Sequence, residues 1–173
     1  MTLDLPLRPR PDPLDPKSRP RESVDDYPRP PLIERVPWHI RVELGGDLVA
    51  ETTQAIRICE TFGAPVYYLP PEDVRTELLV REPGSSFCEW KGLARYWTIR
   101  VGDVVAHRAA WSYPEPVERY VALRDHLAFY AGRMDACWVD GIRAEPQPGG
   151  FYGGWVTPEI EGPIKGSPGT EGW

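Results

Sequence analysis

The chain has little cysteine and little histidine. Three cysteines (Cys59, Cys88, Cys137) and three histidines (His39, His107, His126) are scattered over 173 residues. No C-x-x-C, H-x-H or H-E-x-x-H spacing occurs, which argues against a structural zinc site, and no metal site is expected. An odd, dispersed cysteine count also argues against a disulfide framework and fits a reducing, cytoplasmic setting. Positive charge is short as well. The net charge is −6 and the isoelectric point about 5.1, with no basic stripe to neutralise phosphates, so nucleic acid is not an expected partner. No apolar run approaches the ~18 residues of a membrane span, so no membrane partner is expected. The opening Met1-Thr2-Leu3-Asp4-Leu5-Pro6 has neither the basic start nor the apolar stretch of a secretory leader. There is no Walker loop, no G-x-G-x-x-G and no G-x-S-x-G, and nothing names a cofactor. Glu60, Asp73, Glu89 and Glu115 are acid–base candidates, but no spacing among them implies a glycosidase-type pair.

What the chain does have is proline, glycine and large aromatics: 21 Pro, 16 Gly, 7 Trp and 8 Tyr. Their distribution divides the sequence in three. Residues 1–37 hold ten prolines, seven basic and seven acidic residues, too little apolar area to offset ordering entropy alone. This reads as a polyproline-like arm, free or draped over the body, or as a docking segment for a partner. Residues 38–145 carry the periodic patterns of a β-rich domain. Residues 146–173 hold eight glycines and five prolines, yet also Phe151, Tyr152, Trp155 and Trp173. Each such ring buries ~150–250 Å², so the segment reads as an ordered extension that staples its aromatics onto the body or a second subunit. Homo-oligomerisation through arm and tail is thus one expectation.

Within the body, Ile40-Arg41-Val42-Glu43-Leu44 alternates with period two and predicts a half-buried strand; Gly45-Gly46-Asp47 turns and Leu48-Val49-Ala50 returns. Gln54–Glu60 and Pro65–Leu69 predict two more strands. Trp97–Val101, Gly102-Asp103 and Val104–Ala106 form the clearest hairpin, and Met134–Val139 with Asp140-Gly141 another. The first and second hairpins share Ile-Arg-Val, a Gly/Asp turn and an apolar-Val-Ala return, by duplication or by common hairpin chemistry. Asp73–Leu79 reads as a short helical turn. One true helix is expected over about 115–131, with Tyr120, Leu123, Leu127 and Tyr130 on one face, prolines in its first turn and Gly132 at its stop. The fold class is therefore mainly β (α+β): compact, twisted antiparallel sheets with one helix.

Three places carry chemistry. In Cys88-Glu89-Trp90-Lys91 a thiol stands three residues from an ammonium, which can stabilise a thiolate nucleophile, provided that a turn brings the two together; Gly92 makes one plausible. The plainer alternative is a buried Cys beside a solvated Lys. Tyr67, Tyr68, Asp73 and Arg75 could bind a small polar ligand, or Asp73 could simply hold a helical turn with Arg75 as its ion pair. Trp111 and Tyr113, two residues apart, share a strand face and form either a stacking platform or core packing.

These same stretches carry a resemblance. Pro65–Val74, Cys88–Trp97 and Ala110–Pro114 together resemble the domain of unknown function family 427, also described as nucleotidyltransferase-like, over roughly residues 40–143. Glu89 stands where that pattern expects Pro. The resemblance implies a small β-rich domain of twisted, tent-like sheets. It also brings the nucleotidyltransferase activity in as an alternative, although such enzymes need a phosphate-anchoring loop and grouped carboxylates, and none is evident here.

The functional expectation is a small polar or anionic ligand bound in an aromatic-lined cleft, possible substrate included. Cys88, Lys91 and Asp73 are the catalytic candidates, and Tyr67, Arg75, Tyr96, Trp111 and Tyr113 the binding ones. The alternative is a protein-interaction or assembly module without catalysis.

Overall fold

The computed structural model describes residues 4–10 and 18–173. Residues 1–3 and 11–17, both within the expected proline-rich arm, lie outside the described residues. In chain order the strands are β1 (Glu22–Ser23), β2 (Leu32–Val36), β3 (Ile40–Leu44), β4 (Asp47–Thr52), β5 (Ala55–Cys59), β6 (Val66–Tyr68), β7 (Leu79–Cys88) and β8 (Gly92–Val101). They continue with β9 (Val104–Ser112), β10 (Ala128–Phe129), β11 (Ala136–Val139), β12 (Ile142–Arg143), β13 (Glu145–Pro146), β14 (Trp155–Val156) and β15 (Ile160–Glu161). The protein is mainly β, in several antiparallel sheets, none closed into a barrel. The sheet orders are β10-β9-β8-β7, β12-β11-β3-β4 and β2-β5-β6, with β13-β14 and a parallel β1-β15 pair beside them. No described helix is long and apolar enough to cross a membrane.

The period-two strands form where alternation places them. In β3, Ile40, Val42 and Leu44 point into the main core while Arg41 and Glu43 face out. Gly45 and Gly46 turn the chain at φ 62° and 79°, and Asp140-Gly141 does the same at 49° and 78°, both central residues left-handed as two-residue hairpin turns prefer. The tips of the two look-alike hairpins meet. A Cβ on Gly45 would lie 3.1–3.3 Å from Val101 and Val104, which flank the β8–β9 turn.

Two elements differ from expectation. Leu32–Val36, read from the sequence as arm, is a strand paired with β5 from Leu32↔Cys59 to Val36↔Ala55. The expected helix over 115–131 is realised only as a 3-10 segment, Glu118–Leu123, kinked at Tyr120. Pro114 and Pro116 delay its start, and the sheet claims its end. Leu127 exchanges two 2.8 Å backbone hydrogen bonds with Leu69, and Ala128 and Phe129 pair with Trp111 and Ala110. The i, i+3/i+4 apolar spacing thus marks a chain that turns back onto the sheet, where ladder hydrogen bonds replace helical ones. The Asp73–Leu79 turn is present as two 3-10 turns, Pro71–Asp73 and Thr76–Leu78.

β5 is the central strand of its sheet and is buried on both faces, Arg57 included. Arg57 survives there because Glu22 from β1 and Glu34 from β2 approach its guanidinium at 2.5 and 2.9 Å, while its plane lies over Trp38 at 5.3 Å. Arg8 reaches the same two carboxylates at 2.8 and 3.0 Å. Removing the Arg57 charge would leave two largely buried carboxylates short of their main partner. Arg57→Met is expected to cost about 3–5 kcal/mol, read as a lower urea midpoint.

Burial by itself raises the Glu22 carboxyl, but the hydrogen bond and charge of Arg57, then Arg8, outweigh it and hold Glu22 below its ordinary value of 4.5. Its stabilising contribution is complete above that ordinary value and is lost as the pH falls through the lower folded one. Melting temperature should therefore fall on acidification in that window. In Glu22→Gln the acid fall should be shallower; an unchanged slope would remove Glu22 from this role.

Candidate functional site

A cavity of about 260 Å³ opens where four chain segments converge. The loop after β5 supplies Glu60, and β6 supplies Tyr68. The β7–β8 hairpin supplies Cys88, Lys91 and Tyr96, and the end of β9 supplies Trp111 and Tyr113. The C-terminal segment closes the fourth side with Gln147, Tyr152, Gly153 and Lys165.

The Cys88–Lys91 pairing needs a turn, and the turn is there. Cys88 pairs with Gly92 across a three-residue connection, and Gly92 takes φ 112°. Glu89, where the resemblance leads us to expect proline, does not prevent it. Val117 N–H donates to Lys91 C=O at 3.0 Å and straps the turn down. Lys91 is thereby 6% exposed, its Nζ 2.5 Å from Glu60 Oε1. Burial alone pulls the Lys91 pKa down; the Glu60 carboxylate foremost, then Tyr113 and Cys88, overcome that and hold it above the ordinary value, so the ammonium stays charged. Cys59 and Cys137 are buried elsewhere, with burial pushing Cys59 up to about 12. Cys88 is the thiol that lines the cavity.

The aromatic wall is ordered by its own contacts. Tyr96 and Trp111 are cross-strand neighbours, and Tyr96 Oη lies 2.7 Å from Ser86 Oγ. Trp111 stacks tilted against Tyr130 at 4.7 Å, meets Tyr68 edge-on at 6.3 Å, and its indole N–H donates to Tyr68 Oη. Burial raises the Tyr68 and Tyr113 phenols, so both remain protonated and able to donate.

Five of the eight residues picked out from the sequence, Cys88, Lys91, Tyr96, Trp111 and Tyr113, meet at this cavity. Three do not. Tyr67 and Tyr68 alternate on β6, and the pleat sends Tyr67 into the main core between Trp38 and Trp155 while Tyr68 faces the cavity. Asp73 does not line it either: its carboxylate accepts a 2.7 Å hydrogen bond from Thr52. Arg75 is exposed and paired with Glu77. Asp73 and Arg75 thus do not pair with each other as the plainer reading expects: Asp73 is held by Thr52 and Arg75 by Glu77.

Sequence reasoning expected an ordered tail but missed that it lines the cavity. Gln147, 4% exposed, accepts from Ala64 N–H at 3.1 Å and donates to Lys165 C=O at 3.0 Å, tying the tail to the loop after β5. Its glycines are needed for close approach. A Cβ on Gly153 would overlap the Trp111 ring, and one on Gly154 would collide with Ala64 C=O and the Gln147 amide. The signal was visible in the glycine-rich run Gly149-Gly150-Phe151-Tyr152-Gly153-Gly154, which interleaves aromatics with residues that permit close approach. Gly153→Ala is expected to cost about 1–3 kcal/mol by overpacking. The tail should lift from Trp111, giving a lower melting temperature and a red-shifted tryptophan emission.

Among the described residues, no three of His, Cys, Asp and Glu gather as a metal would require. Among curated proteins none matches the sequence. A family model does match, described as a domain of unknown function, DUF427, over residues 32–140. That span starts at the strand Leu32–Val36, closes after β11 and takes in every cavity residue except those of the tail. The chain therefore belongs to the DUF427 family.

Proposed function

We propose that this cavity binds a small polar or anionic molecule with a flat apolar face. The observation that carries the proposal is the meeting of one buried, charged Lys91 with Trp111, Tyr68, Tyr96 and Tyr113 from segments far apart in the chain. A buried ammonium is costly to maintain, and a lining of phenols and indole with a few convergent polar groups is the usual make-up of a small-molecule site. Cys88, at the other end of the Lys91 turn, is the nucleophile candidate if the bound molecule is also transformed. A nucleotidyltransferase reading draws less support, since Asp73, Glu89 and Glu115 do not line this cavity beside Glu60. An assembly role for arm and tail is also less favoured. Arg8 and Arg19 of the arm pair with Glu22, Glu34, Asp140 and Glu159, and Trp155 of the tail is 1% exposed in the main core, so both segments use these groups within the chain.

A panel of small fluorinated acids, alcohols and amines screened by ¹⁹F NMR tests the reading. At least one anionic member should broaden on adding the protein. Lys91→Met should abolish that broadening, and Cys88→Ser should retain it while keeping the wild-type melting temperature within a few degrees. Equal binding by the Lys91 variant would place the ligand elsewhere.

A further inference from the structure

Lys91 does not face the cavity alone. Its Nζ is 2.5 Å from Glu60, and the burial of the pair is lopsided: the Lys91 side chain is 7% exposed and that of Glu60 41%. The lysine is fixed by its strapped turn. The glutamate belongs to a loop and has water at its back.

The charges on the cavity wall are Lys91, Lys165 and Glu60, a net +1. Resting on the ligand-binding reading above, we propose that Glu60 stands in for the ligand's anionic group in the free protein, and that the ligand is a monoanionic carboxylate on a single flat ring that displaces Glu60 from Lys91 into solvent.

Three observations support the exchange. A buried ammonium stripped of its partner is strongly disfavoured, so an empty cavity needs a resident carboxylate, and Glu60 supplies one. Exchanging one carboxylate for another keeps Lys91 partnered, and the released Glu60 regains hydration because it is already at the surface. Finally, charge and size select the class. A monoanion replaces Glu60 at Lys91 charge for charge, so the net +1 of the wall and the pairing of the buried ammonium are both kept. A volume of about 260 Å³ is below the roughly 300 Å³ at which pockets for drug-sized ligands begin, so it suits one ring rather than a nucleotide. Trp111, Tyr130 and Tyr152 line the cavity as the aromatic groups against which that ring would pack.

The test is titration of the full chain with 4-fluorobenzoate, followed by ¹⁹F NMR and calorimetry. Wild type should bind weakly. Glu60→Gln, which keeps the shape and removes the competing charge, should bind about tenfold tighter or better. A second measurement needs no variant: the Glu60 side-chain ¹³C resonance of wild type should move toward that of a solvated carboxylate at saturation. If wild type binds but Glu60→Gln binds equally or more weakly and the Glu60 resonance stays put, the exchange is overturned while the cavity reading stands. If neither protein binds 4-fluorobenzoate, the ring-carboxylate class is overturned, and the wider panel alone decides the cavity reading.

Discussion

The architecture depends on a buried set of charges gathered around one indole. Arg57 and Arg19 lie over Trp38 at 5.3 and 4.6 Å, and Arg8 approaches at 5.9 Å. Their carboxylate partners come from far apart: Glu22 and Glu34 from the first strands, Asp140 from the β11–β12 turn, Glu159 from the tail. A guanidinium can donate to two carboxylates from its edge and still present its flat face to a ring. The cluster thus ties the N-terminal segment, the β2-β5-β6 sheet, a hairpin of the neighbouring sheet and the C-terminal segment into one body. It confers less stability than its number of contacts suggests, because most of its charges had to be dehydrated. What it sets is arrangement: the tail is anchored at Glu159 and Ile160, so the stretch before it must run past β6 and β9.

The cavity is a consequence of that path. Sheet β10-β9-β8-β7 offers a face of Tyr96, Trp111 and Tyr113, and β6 adds Tyr68. Without the tail, this face would be an aromatic patch open to water. Gly153 packs close against the Trp111 ring and Gln147 bridges Ala64 to Lys165, which gives the patch a further wall. The DUF427 match ends at residue 140, before any of these tail residues. The aromatic floor and Lys91 therefore lie within the family domain, while the closing wall lies beyond the matched span.

Much of the fold was legible because alternation and turn chemistry are local. Ile40–Leu44, the glycine turns at 45–46 and 141, and the Cys88–Lys91 turn form as their residues demand. Local pattern misled at 115–131, where apolar residues at helical spacing serve a chain that folds back to pair with β9, and at Leu32–Val36, where flanking prolines hid a strand that only β5 could complete. Arg57 shows the same limit: in a period-two pattern it reads as the solvent face, and it is solvent-facing until β1 and β2 bring two carboxylates over it.

The site divides on the same line. Residue types and spacing by themselves pointed to a turn between Cys88 and Gly92 and to Trp111 and Tyr113 on one face, because a tight turn and a pleat are properties of a few consecutive residues. Tertiary structure alone decided that Tyr68 rather than Tyr67 looks into the cavity, that Asp73 is held by Thr52, and that Glu60 and the glycine-rich tail complete the wall. Those outcomes depend on which sheet packs against which, a choice made by the summed burial and charge pairing of segments distant in sequence.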